Sequence, residues 1–261
     1  NAIVINAQDR ISRTLRSVLY EGQVPDIETL GNLTAVIASA QNGSLEVVRL
    51  LIKPGPNIGL ETESNKKTAF VRAANSGHIE PVKLLLKNDL HFDFDKTFRF
   101  NPLMVASMNG HSEIVRMILA EGININSRSS DGTTALIFSS QNGQTDLVRL
   151  LLEKGADLHI KDNSGADALI WAAAKGRTDV VRLLISKGAD VNVIRNDGAT
   201  ALICASQGGY ADAMKLLLEN GADMDLNRND GMTSLIIAAQ NGFNAAVNFL
   251  LDKGADINAQ E

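Results

Sequence analysis

A short tripeptide recurs along this chain at a nearly fixed interval, and no other feature restricts the fold as much. The copies are Thr34-Ala35-Val36, Thr68-Ala69-Phe70, Asn101-Pro102-Leu103, Thr134-Ala135-Leu136, Asp167-Ala168-Leu169, Thr200-Ala201-Leu202 and Thr233-Ser234-Leu235. The first step is 34 residues and the next five are 33 each. A glycine follows nine residues after each start, at Gly43, Gly77, Gly110, Gly143, Gly176, Gly209 and Gly242. A second glycine ends most units, at Gly55, Gly122, Gly155, Gly188, Gly221 and Gly254. A period in the range of roughly 20–50 residues means stacked supersecondary units that bury a core only against their neighbours.

Each unit reads as two short helices. Thr134 is an N-cap residue, able to accept from the free N–H groups of a first turn. Ala135 to Gln141 forms the first helix and Gly143 stops it. Thr145 to Lys154 forms the second, with Leu147, Val148, Leu151 and Leu152 at helical spacing. Gly155 closes it at positive φ. Ala156 to Gly165 is polar and rich in Asp, Asn and Gly, the chemistry of a tight turn or β-hairpin.

Gly155-Ala156-Asp157, Gly188-Ala189-Asp190-Val191-Asn192, Asp197-Gly198-Ala199-Thr200-Ala201-Leu202, Gly77-His78 and Gly110-His111 resemble the ankyrin-repeat signature, and the resemblance covers essentially the whole chain. It implies an all-α solenoid of stacked helix-turn-helix units joined by β-hairpin-like loops. The expected layout is one domain over 1–261, with an N-terminal cap near 1–30 and repeats near 31–64, 65–97, 98–130, 131–163, 164–196, 197–229 and 230–261. One departure is consistent. Where the family has Thr-Pro-Leu-His, this chain mostly has Thr-Ala-Leu-Ile, and Pro102 is the only proline at that place. Ile137, Ile170, Ile203 and Ile236 remove the histidine that usually bonds to the turn, so the turn network is expected to differ.

Both ends and two loops carry further expectations. Asn1 to Gln8 aligns with Thr134 to Gln141, and Asn6 and Ser17 bring polarity where later units are small or apolar, as a capping repeat requires. Val247, Phe249, Leu250 and Leu251 keep an apolar pattern to the last repeat, so that face is covered by further sequence or a partner, or is partly exposed. The loop from Pro54 to Lys67 has one residue more than the others. The next loop has Asp89 in place of the closing glycine and alternates Phe92, Phe94, Phe98 and Phe100 with charged residues.

Catalytic chemistry finds few candidates. One cysteine, Cys204, rules out an intrachain disulfide and a cysteine metal cluster. It takes the first-helix place held by Phe138 and Trp171 in earlier repeats, which makes it a packed thiol rather than a nucleophile. His78 and His111 occupy the Gly-His place as turn histidines; His91 and His159 are isolated in loops. The periodic Asp157, Asp190, Asp223 and Asp256 fall at helix ends and are read as structural. No glycine loop ends in the Lys-Ser/Thr of a phosphate cradle. The expectation is a non-enzyme without cofactor or metal. No apolar run approaches the ~18 residues of a membrane span, and the sequence shows no signal-peptide pattern. A soluble protein is expected, cytoplasmic by default, or periplasmic or secreted where an N-terminal signal has been removed.

Binding has three candidate regions, since the resemblance implies a concave side made of first helices and loop tips. Phe138 and Trp171 hold equivalent first-helix places and either flank one groove or pack between repeats; an exposed Trp there would bring apolar area and one donor. Phe94, Phe98 and Phe100, with Arg99, either line one hairpin face or form a local core. Lys66, Lys67, Lys96, Arg99, Arg128, Lys161, Arg195 and Arg228 give the loop tips a basic edge, interrupted by Glu61, Glu63, Asp95 and Asp162. Such an edge would steer an acidic partner.

The leading expectation is therefore a protein-interaction module, as scaffold or as an inhibitor or immunity-type protein that occludes an enzyme. Nucleic-acid or nucleotide binding along the basic edge is the second reading, against which the net charge of −5 and pI near 5.4 weigh. A non-catalytic part of a larger enzyme is the third.

Overall fold

The computed structural model describes residues 35–52, 63–87 and 101–257. Two compact units divide the chain, 1–123 and 124–261. The described part of the first holds α1 (Ala35–Gln41), α2 (Leu45–Leu51), α3 (Glu63–Ser76), α4 (Ile79–Leu86), α5 (Pro102–Met108) and α6 (Ser112–Ala120). The second holds α7 (Ala135–Asn142), α8 (Thr145–Glu153), α9 (Ala168–Ala174), α10 (Thr178–Ser186), α11 (Ala201–Gln207), α12 (Ala211–Glu219), α13 (Ser234–Gln240) and α14 (Asn244–Asp252). All the regular structure among the described residues is helical, apart from an isolated antiparallel bridge between Asn227 and Thr233. The expected all-α fold of helix pairs and hairpin-like loops is what forms.

Caps start the first helices where the tripeptides predict. The Thr134, Thr200 and Thr233 hydroxyls accept the N–H groups of Ile137, Ile203 and Ile236 at 3.3 Å each. Asn101 and Asp167 do the same work through Oδ1, at 2.9 Å from Met104 N and Ile170 N. A cap of this kind contributes about 1 kcal/mol. Gly143 then ends α7 at φ 78°, a left-handed conformation that a side chain resists.

First helices pack on first helices and second on second: α1–α3–α5 and α2–α4–α6 in the first unit, α7–α9–α11–α13 and α8–α10–α12–α14 in the second. The core between them is aliphatic. Leu136, Leu147, Leu151, Leu169 and Ile170 are fully buried, and each such side chain contributes roughly 1.5–3 kcal/mol. In the last helix Leu250 is buried, whereas Leu251 keeps 37% of its surface exposed.

One helix departs from the repeat frame. The alignment starts a helix at Thr68, but α3 begins at Glu63 and runs through it. The four hairpins of the second unit turn on a positive-φ glycine just before the cap, at Gly132, Gly165, Gly198 and Gly231. Lys66 stands at the equivalent place. Glu63-Ser64-Asn65-Lys66-Lys67 contains neither Gly nor Pro, so nothing stops a helix from extending backwards. The N-terminal repeat near 1–30, the loop residues 53–62 and the Phe94, Phe98, Arg99, Phe100 stretch lie outside the described residues.

Candidate partner-binding face

Four hairpin-like loops of the second unit precede or separate its helix pairs. In each, an N–H and a carbonyl four residues apart close the turn: Ser129 to Thr133 at 3.0 Å, Asp162 to Ala166 at 2.8 Å, Arg195 to Ala199 at 2.9 Å, Arg228 to Met232 at 3.0 Å. Neighbouring loops are laced together. Asn163, Asn196 and Asn229 donate backbone N–H groups to the carbonyls of Asp131, Ser164 and Asp197 at 2.9, 3.0 and 2.9 Å. Their side-chain amides donate to Ser130, Asn163 and Asn196 carbonyls at 3.1, 3.0 and 3.1 Å. In a chain whose Thr-Ala-Leu-Ile sequence carries no histidine at that place, these asparagines join one hairpin to the next.

The ladder decides where the loop charges go. Arg128, Lys161, Ile194 and Asn227 share one register position, and Ser129, Asp162, Arg195 and Arg228 share the next. Adjacent residues of an extended segment point to opposite faces. The four cations expected to form one edge therefore fall into two pairs on different rows. Arg128 is exposed and donates from Nη2 to the Lys161 carbonyl at 2.8 Å; the Lys161 side chain is exposed. Arg195 Nε lies 3.3 Å from Asp197 Oδ1, an ion pair with its N–H aimed elsewhere. Arg228 donates to Asp230 at 2.7 Å. Exposed pairs of this kind contribute at most ~1 kcal/mol of stability, yet they cancel the local charge. Among the described residues of this unit the hairpin tips form no uninterrupted basic stripe.

Beneath the hairpins run the first helices, and Phe138, Trp171, Cys204 and Ile237 occupy one row across them. Phe138 and Cys204 are buried, at 8% and 6% exposure, and Ile237 is buried too. Trp171 is partly exposed. Its indole N–H does not point outward: it donates to Asp162 Oδ2 at 2.7 Å. The other carboxylate oxygen, Oδ1, accepts Ser164 N–H at 2.8 Å, Ser164 O–H at 2.6 Å and Ala166 N–H at 3.0 Å. Asp162, expected from the sequence only to interrupt a basic edge, is the hub of this loop. The readable signal was an exchange of residue types, Ser129 and Asp131 becoming Asp162 and Ser164.

Electrostatics in the row follow from burial. Burial pushes the Cys204 thiol up and outweighs the opposing pull of the nearby Arg195 guanidinium, so the thiol stays protonated and packs. Burial likewise raises Asp167, the only aspartate among the described caps, against hydrogen bonds from the first turn of α9. At Asp131, desolvation acts upward, but hydrogen bonds from Ser129 and Thr133 together hold the carboxyl below its usual value.

The remaining polar candidates are parts of the framework. His78 and His111 donate from Nε2 to the carbonyls of Gln41 and Asn75, both at 3.0 Å. Arg177 takes the same place and donates from Nε to Gln141 at 3.1 Å. Asp157, Asp190 and Asp223 each accept the N–H two residues further on, at 2.8, 2.9 and 2.9 Å. No described helix is long and apolar enough to cross a membrane.

Paired helices stacked at a 33-residue period, with hairpin-like loops laced along one edge, define a helical repeat protein. Sequence comparison gives the family: the ankyrin-repeat model matches residues 7–97, 36–129, 103–195 and 169–261 in overlapping three-copy windows, so the chain belongs to the ankyrin-repeat family. No curated protein matches the chain. Ankyrin repeats are generally protein–protein interaction modules and are typically non-catalytic.

Proposed function

We propose that the second unit binds a segment of another protein across its first helices and hairpin tips, with Trp171 as the anchor. The observation that carries this reading is the exposure of one row. Three of its four side chains are buried, and the largest, Trp171, is open to contact while held rigid by Asp162. A large, rotationally fixed aromatic ring loses little entropy on binding, which is why such residues dominate interface energetics.

The test is selection from a displayed library of random peptides on the intact protein, followed by binding to Trp171→Ala. A ring that anchors a partner gives ligands whose affinity drops by roughly tenfold or more in the variant. Ligands that bind both proteins equally place the interface elsewhere and end the reading.

A further inference from the structure

In three of the second unit's four hairpins the carboxylate sits at the far side of the turn. Asp131, Asp197 and Asp230 each accept the backbone N–H two residues ahead, from Thr133 at 3.4 Å, Ala199 at 3.2 Å and Met232 at 3.3 Å. The hairpin before α9 is different. Carboxylate and hydroxyl have exchanged places, so Asp162 and Ser164 stand where Ser129 and Asp131 stand one repeat earlier. Both arrangements satisfy the turn through Oδ1. In the exchanged one the second oxygen, Oδ2, accepts the Trp171 indole N–H at 2.7 Å. Asp162 is buried to 8% exposure, so the bond lies mostly out of water, where a charge-assisted contact is short and strong.

Resting on the partner-binding reading above, we infer that Asp162 is the positioning residue for Trp171 and sets what the ring recognises. Indole has one donor and no acceptor. With that donor bonded internally, the exposed part of the ring offers a partner only apolar surface. The buried neighbours in its row, Phe138 and Cys204, add no polar group. The site takes an aliphatic or aromatic side chain of a partner segment, not a hydrogen-bond acceptor.

Trp171 is the only tryptophan, so its fluorescence and its indole N–H resonance report on this ring alone. The double variant Asp162→Ser, Ser164→Asp rebuilds the arrangement of the preceding hairpin, which folds in this same protein. The expected result is an unchanged circular dichroism spectrum and a melting temperature lowered by no more than a few degrees. The indole N–H exchanges with water roughly tenfold faster, as loss of a charge-assisted bond implies, and acrylamide quenches the ring more strongly. Asp162→Asn, which keeps the size and removes the charge, moves both readouts the same way by less, and serves if the double variant does not fold. If neither readout moves in a folded variant, Asp162 belongs to the hairpin alone and the inference is wrong. Recognition is read from the displayed peptides: an apolar residue at the Trp171-dependent position is expected, and Ser, Asn, Asp or Glu there overturns the specificity. Failure to recover any Trp171-dependent peptide ends the partner-binding reading and the specificity with it, while the exchange result for Asp162 stands separately.

Discussion

The two edges of the second unit join its repeats by different means. At the hairpin edge the joint is a hydrogen-bond ladder, and the residue is the same each time: Asn163, Asn196, Asn229. At the opposite edge, where first helix turns into second, the joint is a side chain seated over a glycine of the previous repeat, and the residue changes each time. A Cβ added at Gly143 would lie 2.8 Å from the Arg177 side chain, at Gly176 2.4 Å from the Tyr210 ring, and at Gly209 2.7 Å from the Phe243 ring. The first unit uses His78 over Gly43 and His111 over Gly77 in the same way. A ladder needs one donor and one acceptor at fixed places, which only a short amide supplies. A seat over glycine needs volume, which many side chains supply. The constant residue on the second edge is therefore the glycine, and the variable one is its cover.

The sharpest way to break this comparison is Gly176→Ala. The methyl group meets the Tyr210 ring and also forces a side chain to φ 63°. The expected loss is roughly 2–4 kcal/mol in urea unfolding. Gly221→Ala is the control, since φ is 88° there and nothing lies within 4 Å of the added atom; a loss of about 1 kcal/mol is expected from conformation alone. Equal losses at both sites would mean that the seat is not a joint. On the ladder edge, Asn196→Ala removes the bond to the Asn163 carbonyl and costs about 1 kcal/mol; Asn196→Asp, which lacks the donor, should cost as much.

Asp167→Thr asks whether caps follow the constant or the variable rule. Threonine caps α7, α11 and α13 in the same place. Because burial raises the Asp167 carboxyl, its ionisation opposes folding as pH climbs from the unfolded value of 3.8 through the raised folded one. Below that window both states are protonated and the penalty vanishes. Asp167→Thr should thus stabilise by on the order of 1 kcal/mol at pH 7 and lose that advantage in acid, as read by melting curves across pH. The smallest effect belongs to Arg177→His, which puts the cover of the first unit into the second; a change within ~0.5 kcal/mol is expected.

Period, helix pairs, caps and turn glycines were legible because each depends on local backbone chemistry repeated many times. The caps at Thr134 and Asp167 and the stop at Gly143 fall where the sequence puts them. The start of α3 was not legible from the alignment, although the missing glycine at Lys66 was the signal. The site is less legible. Trp171 stands out from its row, but the sequence does not show that Asp162 already accepts its donor. Nor does it show that Arg195 and Arg228 are paired with Asp197 and Asp230, two residues away. In both cases the missing step was which face of a hairpin a residue takes, and that is set by the lacing to the next repeat rather than by the local sequence.

The buried Cys204 has a use unrelated to binding. As the single sulfhydryl in the chain, tucked under the Arg195 loop, it reacts with a thiol reagent only when its repeat opens. The rate of labelling in native buffer is then a clock for that opening, read without a dye or an engineered label. Run beside global unfolding, it would tell whether a solenoid held by repeated joints breathes one repeat at a time or gives way as a whole.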